Sequence, residues 1–137
     1  MQNIFLCLGS NIEDRLGFLQ SALNHIGELP KTSVLKVSSV YQTEPVGKKD
    51  QSDFFNVSAE IQSDLLPRML LEQLKSLETR LGRKQGERWG PREIDIDILY
   101  YGNLVASEND FKVPHVEVAN RRFTLMPLAE IAPDFRD

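Results

Sequence analysis

The spacing of apolar residues switches repeatedly between a strand pattern and a helix pattern, and the order of these switches constrains the fold most. Residues 2–8, 34–41, 54–61 and 94–101 are short runs rich in β-branched, aromatic or regularly alternating apolar residues, as is typical of strands. Two stretches between them repeat leucine or isoleucine every three or four residues, which places these side chains on one face of a helix. The positions are Leu16, Leu19, Leu23 and Ile26 in the first stretch, and Leu70, Leu74, Leu77 and Leu81 in the second.

Residues that begin and end helices flank both helical stretches. Asn11 follows a turn sequence and is the expected N-cap of the first helix, which should end near Gly27. The second helix follows Pro67 and should end at Gly82. The order is therefore strand, helix, strand, strand, helix, strand. It predicts an α+β domain of the ferredoxin-like split βαββαβ type, with both helices packed on an antiparallel sheet.

Length, charge and cysteine content narrow the class of protein. The chain has 137 residues, enough for a single domain over 1–137 but not for two with separate cores. With 16 basic and 20 acidic residues the net charge is −4, which argues against a general nucleic-acid-binding surface. The single cysteine, Cys7, excludes an internal disulfide framework, and no stretch is long and apolar enough to span a membrane. We therefore expect a cytoplasmic protein with neither a nucleic-acid nor a membrane partner.

The sequence Asp95-Ile96-Asp97 lies in the last predicted strand. Because side chains alternate along a strand, both carboxylates point to the same face, and two anions about 7 Å apart repel unless a cation lies between them. Magnesium commonly binds one or two carboxylates together with substrate phosphates. The pair predicts a metal site, although the solvated outer face of an edge strand would have the same pattern.

The loop over residues 83–93 concentrates positive charge directly before this pair. It carries four basic and two acidic residues, a local charge of +2, while the rest of the chain carries −6. Arginine side chains bind phosphate oxygens well. An exposed indole such as that of Trp89 is unfavourable in a loop unless it covers a ligand. A solvated loop with scattered ion pairs is the alternative. Together with the metal pair, the loop indicates phosphoryl-transfer chemistry, without a Walker A sequence.

Other candidates are ambiguous when each is taken alone. Asn56 lies on the polar face of its strand beside Phe54, and Phe123 follows two arginines, but aromatic residues are more often part of a core than of a ligand site. His115 follows a proline, and taken alone it favours a surface or a buried structural histidine over a phosphate donor.

The segment RWGPREIDIDIL at 88–99 closely resembles the signature of the 6-hydroxymethyl-7,8-dihydropterin pyrophosphokinase family, which transfers a pyrophosphoryl group from ATP to a pterin alcohol in folate biosynthesis. The resemblance implies the same ferredoxin-like fold. It extends along the chain in the same order and spacing. The further matches include LGSN at 8–11, FFN at 54–56, VPH at 113–115 and NRRF at 120–123.

The resemblance also implies roles for individual residues. Asp95 and Asp97 would hold two magnesium ions that bridge the ATP phosphates, and Asp97 would count among the catalytic residues with Arg83 and Arg92. The residues implied in pterin binding are Thr43, Pro45, Val46, Phe54, Asn56, Trp89 and Phe123. Those implied in nucleotide binding are Glu78, Lys84, Trp89, Arg92, Ile98, His115 and Arg121.

A few positions depart from the family pattern. Lys84 is the nearest basic residue where the family has a second arginine, Val116 stands where an aromatic residue is common, and Lys75 stands where glutamine is common. The chain ends at Asp137, earlier than many relatives, which is compatible with a truncated C-terminus. The resemblance implies a monomer that binds ATP and the pterin. The alternatives are another magnesium-dependent phosphotransferase or phosphohydrolase, or a non-catalytic ferredoxin-like module that binds a ligand or RNA.

Overall fold

The computed structural model describes residues 2–44, 52–82, 93–108, 111–113 and 130–131. None of the helices in these ranges is long and apolar enough to cross a membrane. The two α-helices are α1 (Arg15–Gly27) and α2 (Pro67–Arg80). The strands are β1 (Gln2–Ser10), β2 (Thr32–Val37), β3 (Tyr41–Thr43), β4 (Phe54–Ser63), β5 (Asp95–Tyr101), β6 (Ala106–Glu108) and β7 (Phe111–Val113).

The main sheet has the strand order β2-β4-β1-β5, and the short strand β3 pairs with β4 beyond the end of β2. All of these pairings are antiparallel. The predicted ferredoxin-like α+β architecture is therefore confirmed, with β3 as an addition. Strand β1 lies in the centre of the sheet, and β5 lies at its edge.

Both helices pack on one face of this sheet, where the main core lies. In β1 the side chains of Ile4, Leu6 and Leu8 belong to this core, as the period of two along a strand requires. The helices contribute apolar side chains at intervals of three and four residues. These buried helical side chains are Leu19, Ala22 and Ile26 from α1, and Leu70, Leu74 and Leu77 from α2.

The opposite face of the sheet is also partly covered. Phe5 and Cys7 of β1 form a second buried cluster there with Leu99, Tyr100 and Ile131. A bulge in β5 explains why two consecutive residues of that strand share this face, because Leu99 is an extra residue between the partners of Phe5 and Leu6. The remainder of this second face includes the polar residues Asn56, Asp95 and Asp97.

The first helix begins later than the sequence predicts, so the assignment of Asn11 as its N-cap is wrong. The cap is Asp14, whose side chain accepts a hydrogen bond of 3.0 Å from the Gly17 N–H. Asn11 instead donates its side-chain amide to the Ser52 carbonyl at 3.0 Å. With this later start Leu16 lies outside the buried face of the helix and is 53% exposed.

The predicted strand over 34–41 is interrupted, because β2 ends at Val37 and β3 begins at Tyr41. Ser38 explains the break. Its N–H donates to the Ser58 carbonyl at 2.9 Å, but its side-chain oxygen, and not a backbone carbonyl, accepts the Ser58 N–H at 2.9 Å. A side chain has thus replaced one acceptor of the backbone ladder, and the chain leaves the regular strand geometry there.

The region beyond residue 102 contains short elements, as the sequence predicts. Strands β6 and β7 pair with each other in an antiparallel hairpin. Residues 130–131 form a helical turn that is fixed to the main sheet through Glu130. One oxygen of this carboxylate accepts the Ser39 N–H at 2.8 Å and the Ser39 hydroxyl at 3.1 Å, and the other accepts the Tyr41 hydroxyl at 2.8 Å. The end of the described chain is thereby held next to β3.

Candidate active site

A row of directly paired residues crosses the sheet on the face opposite the helices. Gly9 in the central strand pairs with Asn56 of β4 on one side and with Asp95 of β5 on the other. Tyr41 of β3 extends the row beyond Asn56. Because neighbouring strands lie about 4.8 Å apart, Asn56 and Asp95 are separated by about 10 Å between their backbones. The fold therefore brings a buried amide and a carboxylate from distant parts of the sequence to one surface.

The Asn56 side chain is buried and held in a fixed orientation. Its residue exposure is 2%, and its Nδ2 donates a hydrogen bond of 2.7 Å to the hydroxyl of Thr43. A Cβ atom on Gly9 would lie 2.7 Å from the Asn56 Oδ1 and 3.4 Å from the Cδ1 atom of Phe54. The amide oxygen therefore occupies space that only glycine leaves open. An amide that both donates and accepts matches the edge of a nitrogen heterocycle.

Asp95 and Asp97 lie on the same face of the edge strand β5, and their partners on the central strand are Gly9 and Cys7. The Asp97 side chain is 30% exposed. Burial, the negative charge of Asp95 and a hydrogen bond with the Asp95 side chain raise the pKa of Asp97 above its usual value, and the positive charge of Lys75 opposes this rise. Each of the two carboxylates disfavours ionisation of the other, and a cation bound to both would stabilise their ionised forms.

Helix α2 contributes a buried carboxylate and an ammonium group to the outer edge of β5. Glu78 accepts the Ile96 N–H at 2.6 Å, and Lys75 donates to the Ile96 carbonyl at 2.8 Å. The two side chains are joined at 3.1 Å. They thus satisfy the free backbone groups of the edge strand between Asp95 and Asp97.

The Lys75 ammonium also lies 3.7 Å from the Asp97 Oδ1. Burial alone would lower the pKa of Lys75, but the charges of Asp97, Glu78 and Asp95 raise it above its usual value. Lys75 is therefore a charged member of this site. No role for Lys75 is predicted from the sequence, although its spacing of three residues from Glu78 on a helix places the two side chains together.

The donor set at Asp95 and Asp97 fits magnesium. Within the ranges that the structure describes, no group of three or more His, Cys, Asp or Glu side chains could hold a metal ion. A cation at this pair would thus take its remaining ligands from water or from a substrate. Magnesium binds in this way when it takes one or two carboxylates from the protein and the rest from phosphates and water.

Comparison with known proteins decides the family. The model of the 7,8-dihydro-6-hydroxymethylpterin-pyrophosphokinase (HPPK) family matches residues 5–133. This chain belongs to the HPPK family. Similar proteins include 2-amino-4-hydroxy-6-hydroxymethyldihydropteridine pyrophosphokinases from Haemophilus influenzae and Methylorubrum extorquens. The first is 39% identical over 134 residues, which are 98% of this chain and 84% of that protein. The second is 44% identical over 134 residues, which are 98% of this chain and 85% of that protein.

Solved structures with the same fold include HPPK-DHPS proteins. One, in complex with substrates, has a TM-score of 0.76 at 14% identity and is matched by 99% of this chain. Another, wild-type HPPK-DHPS from Plasmodium falciparum with SDX-DHP, has a TM-score of 0.73 at 15% identity and is also matched by 99% of this chain. The HPPK chain described here spans about two fifths of these longer chains, 43% and 41%. These likenesses show the fold.

The structure brings some of the residues implied by the HPPK resemblance together on one sheet face. On one side of Gly9 lies Asn56, with Phe54 near it on the same strand and Thr43 near it on β3. On the other side of Gly9 lie the two aspartates. Ile98 differs from them, because its side chain is 5% exposed and packs in the main core. Its side chain therefore faces the core and not the face that carries the row.

The remaining implied site residues lie outside the described ranges. They are Pro45, Val46, Arg83, Lys84, Trp89, Arg92, His115, Arg121 and Phe123. Their roles stay predictions from the sequence.

Proposed function

We propose that this chain transfers a pyrophosphoryl group from ATP to 6-hydroxymethyl-7,8-dihydropterin, forming AMP and the pterin diphosphate in folate biosynthesis. Membership of the HPPK family and the pyrophosphokinase names of relatives at about 40% identity support this activity. The observation that carries the proposal is the row Asn56, Gly9 and Asp95, in which a buried amide and a carboxylate lie two strands apart on one face.

In the proposed reaction the pterin lies against Asn56 with its hydroxymethyl group directed along the row toward Asp95. The hydroxymethyl oxygen forms a bond to the β-phosphorus of ATP and loses its proton. The bond between that phosphorus and the oxygen bridging to the α-phosphorus breaks, and AMP leaves with the bridging oxygen. Holding both reactants on one rigid sheet replaces a bimolecular encounter by a fixed approach, which lowers the entropic part of the barrier.

Asp95 and Asp97 are proposed to hold two magnesium ions. When bound, magnesium neutralises charge on the phosphate oxygens and aligns them for displacement. The carboxylate pair supplies hard oxygen ligands, and Glu78 fixes the strand between them through the Ile96 N–H. We propose that Arg83 and Arg92 spread the charge that develops on the transferred group.

The remaining assignments follow the family resemblance. We propose that Pro45, Val46, Trp89 and Phe123 complete the pterin site with Thr43 and Phe54. Nucleotide binding is assigned to Glu78, Lys84, Trp89, Arg92, Ile98, His115 and Arg121. We further propose that residues 1–137 act as one cytoplasmic, monomeric domain without a membrane partner. The net charge of −4 supports the proposal that nucleic acid is not a partner either.

Product analysis tests the activity. The protein is incubated with ATP, magnesium and the pterin, and nucleotides and pterins are separated by chromatography. We expect AMP and pterin diphosphate in equal amounts, and AMP formation that requires the pterin. Replacement of Asp97 by Asn should lower the rate by about 100-fold or more, as expected for a lost metal ligand at the phosphates. Glu72→Gln is the matched control, because it neutralises an exposed carboxylate on α2, the helix that carries Glu78.

The two alternatives give different products. ADP in place of AMP would identify a phosphotransferase that moves a single phosphoryl group. AMP or phosphate release that does not depend on the pterin would identify a phosphohydrolase. Either result would overturn the proposed function.

A further inference from the structure

The Lys75 ammonium makes three polar contacts at the outer edge of β5. Its Nζ lies 2.8 Å from the Ile96 carbonyl oxygen, 3.1 Å from the Glu78 Oε2 and 3.7 Å from the Asp97 Oδ1. Its side chain is 42% exposed, whereas that of Glu78 is 5% exposed. The charged group is thus fixed at the boundary between the buried edge of the sheet and the proposed metal site.

The contact with the Ile96 carbonyl needs a hydrogen-bond donor but not a positive charge, because a neutral amide could also donate to it. The contact with the Glu78 carboxylate is a hydrogen-bonded ion pair, which an amide would replace only in part. The contact with Asp97 is different from both, because 3.7 Å is an ion-pair distance and not a hydrogen bond. Its energy depends on the charge of Lys75. The charge of Lys75 therefore acts on the aspartates, in addition to the hydrogen bond that Lys75 donates to the edge of β5.

This charge acts on the carboxylates that would bind a divalent cation. A positive charge within about 4 Å of a carboxylate stabilises its ionised form, and it repels a second cation bound to the same group. In the absence of metal, Lys75 therefore relieves the repulsion between Asp95 and Asp97. In the presence of metal, it opposes binding.

We propose that Lys75 is a built-in counter-cation of the Asp95–Asp97 pair, which stabilises the metal-free protein and weakens its affinity for divalent cations. This inference rests on the proposed function, since it takes the aspartate pair as the metal site. Lys75 is a positioning residue in this role, because it acts on the metal through Asp97.

Direct measurement of Mn²⁺ binding without nucleotide tests the inference. Free Mn²⁺ is followed by its electron paramagnetic resonance signal at low ionic strength, where charge effects are least screened. Lys75→Gln keeps a donor for Ile96 and Glu78 but removes the charge, and it should bind Mn²⁺ about tenfold more tightly than the wild type. Lys75→Arg keeps the charge and should stay within about twofold. Lys36→Gln makes the same change of net charge at an exposed position on β2 and should have no effect.

Thermal unfolding in a chelator provides the second readout. Without metal, Lys75→Gln should melt lower by about 3 °C, because the aspartate pair and the buried Glu78 carboxylate both lose their counter-charge. A purely structural role for Lys75 would weaken both the fold and Mn²⁺ binding, whereas the counter-cation role moves them in opposite directions. Lys75→Met, which removes charge and donor together, gives an independent neutral variant.

An Asp97→Asn variant separates failure of the inference from failure of the metal site. If this variant no longer binds Mn²⁺ while Lys75→Gln binds it like the wild type, the counter-cation role is wrong and the metal site stands. If Asp97→Asn leaves Mn²⁺ binding unchanged, the cation binds elsewhere, and both the metal assignment and the inference about Lys75 are overturned.

Discussion

A Cβ atom on Gly9 would lie 2.7 Å from the Asn56 side-chain oxygen, so the central strand needs glycine where the two residues pair. Glycine within a strand lowers stability by about 0.5–1 kcal/mol relative to alanine. Its place in the middle of the sheet, between Asn56 and Asp95, is therefore explained by the site and not by the needs of the strand. The absent side chain leaves room for the amide above the sheet.

Gly9→Ala should separate binding from folding. The atom that the new methyl group meets is the far end of a side chain, so Asn56 can rotate away, and the sheet should remain intact. Pterin affinity should fall by about tenfold, because a rotated amide leaves the ligand's polar edge unpaired. Titration calorimetry with pterin and with a non-hydrolysable ATP analogue measures this, and nucleotide affinity should not change. Gly27→Ala is the control, since its nearest side-chain atom would lie 3.8 Å away. Unchanged pterin affinity in Gly9→Ala would contradict the account.

Thr43→Val should weaken pterin binding by removing the acceptor that orients the Asn56 amide. The two side chains have nearly the same shape, so the main loss is one hydrogen bond, about 1 kcal/mol or fivefold in affinity. Thr43→Ser retains the hydroxyl and should bind like the wild type. In a double-mutant cycle with Asn56→Ala, the two effects should not add, because Thr43 acts through Asn56. Additive losses would show that Thr43 acts independently.

Glu78→Ala should destabilise the fold by about 2–4 kcal/mol, because it leaves the buried Ile96 N–H without its acceptor and Lys75 without one of its partners. Urea unfolding followed by circular dichroism measures the loss. Glu72→Ala on the same helix is exposed and should stay within about 0.5 kcal/mol. Equal effects of the two substitutions would mean that the edge of β5 is not held by Glu78.

The Glu130 carboxylate should make stability depend on pH. Hydrogen bonds from the Ser39 N–H and the Tyr41 hydroxyl hold the pKa of Glu130 below its usual value of 4.5. A carboxylate with a lowered folded-state pKa contributes stability above the unfolded pKa and loses it as the pH falls through the folded value. Melting temperatures of the wild type and Glu130→Gln should therefore differ at pH 7 and converge below about pH 4.5. A difference that stays constant from pH 7 to pH 3 would contradict this role.

The sequence predicts the long elements of this fold well because their signals are local. The leucine spacing of α2 reports which of its side chains are buried, and the alternation in β4 reports which of its side chains face the main core. Alternation also predicts that Asp95 and Asp97 share a face. The pairing of Gly9 with both Asn56 and Asp95 is not local, since it depends on which strands become neighbours in the sheet.

The incorrect predictions also have specific physical causes. Asn11 and Asp14 both suit an N-cap, and the choice between them depends on Asn11 bonding the distant Ser52 carbonyl. The end of β2 depends on the Ser38 side chain taking the place of a backbone acceptor for Ser58. The sequence predicts no role for Lys75, because its role depends on a contact with Ile96, 21 residues away. In each case a side chain contacts a residue that is remote in sequence.

The central claim is that the pterin and the metal-bound phosphates lie on one sheet face, two strands apart. Mn²⁺ in place of magnesium tests it most directly, through the relaxation of pterin protons in the complex with protein and a non-hydrolysable ATP analogue. With Asn56 and Asp95 about 10 Å apart across the sheet, we expect an Mn²⁺–pterin distance of about 6–12 Å. Asp97→Asn should abolish the effect. An Mn²⁺–pterin distance beyond about 20 Å would exceed the width of the main sheet and would contradict the shared site.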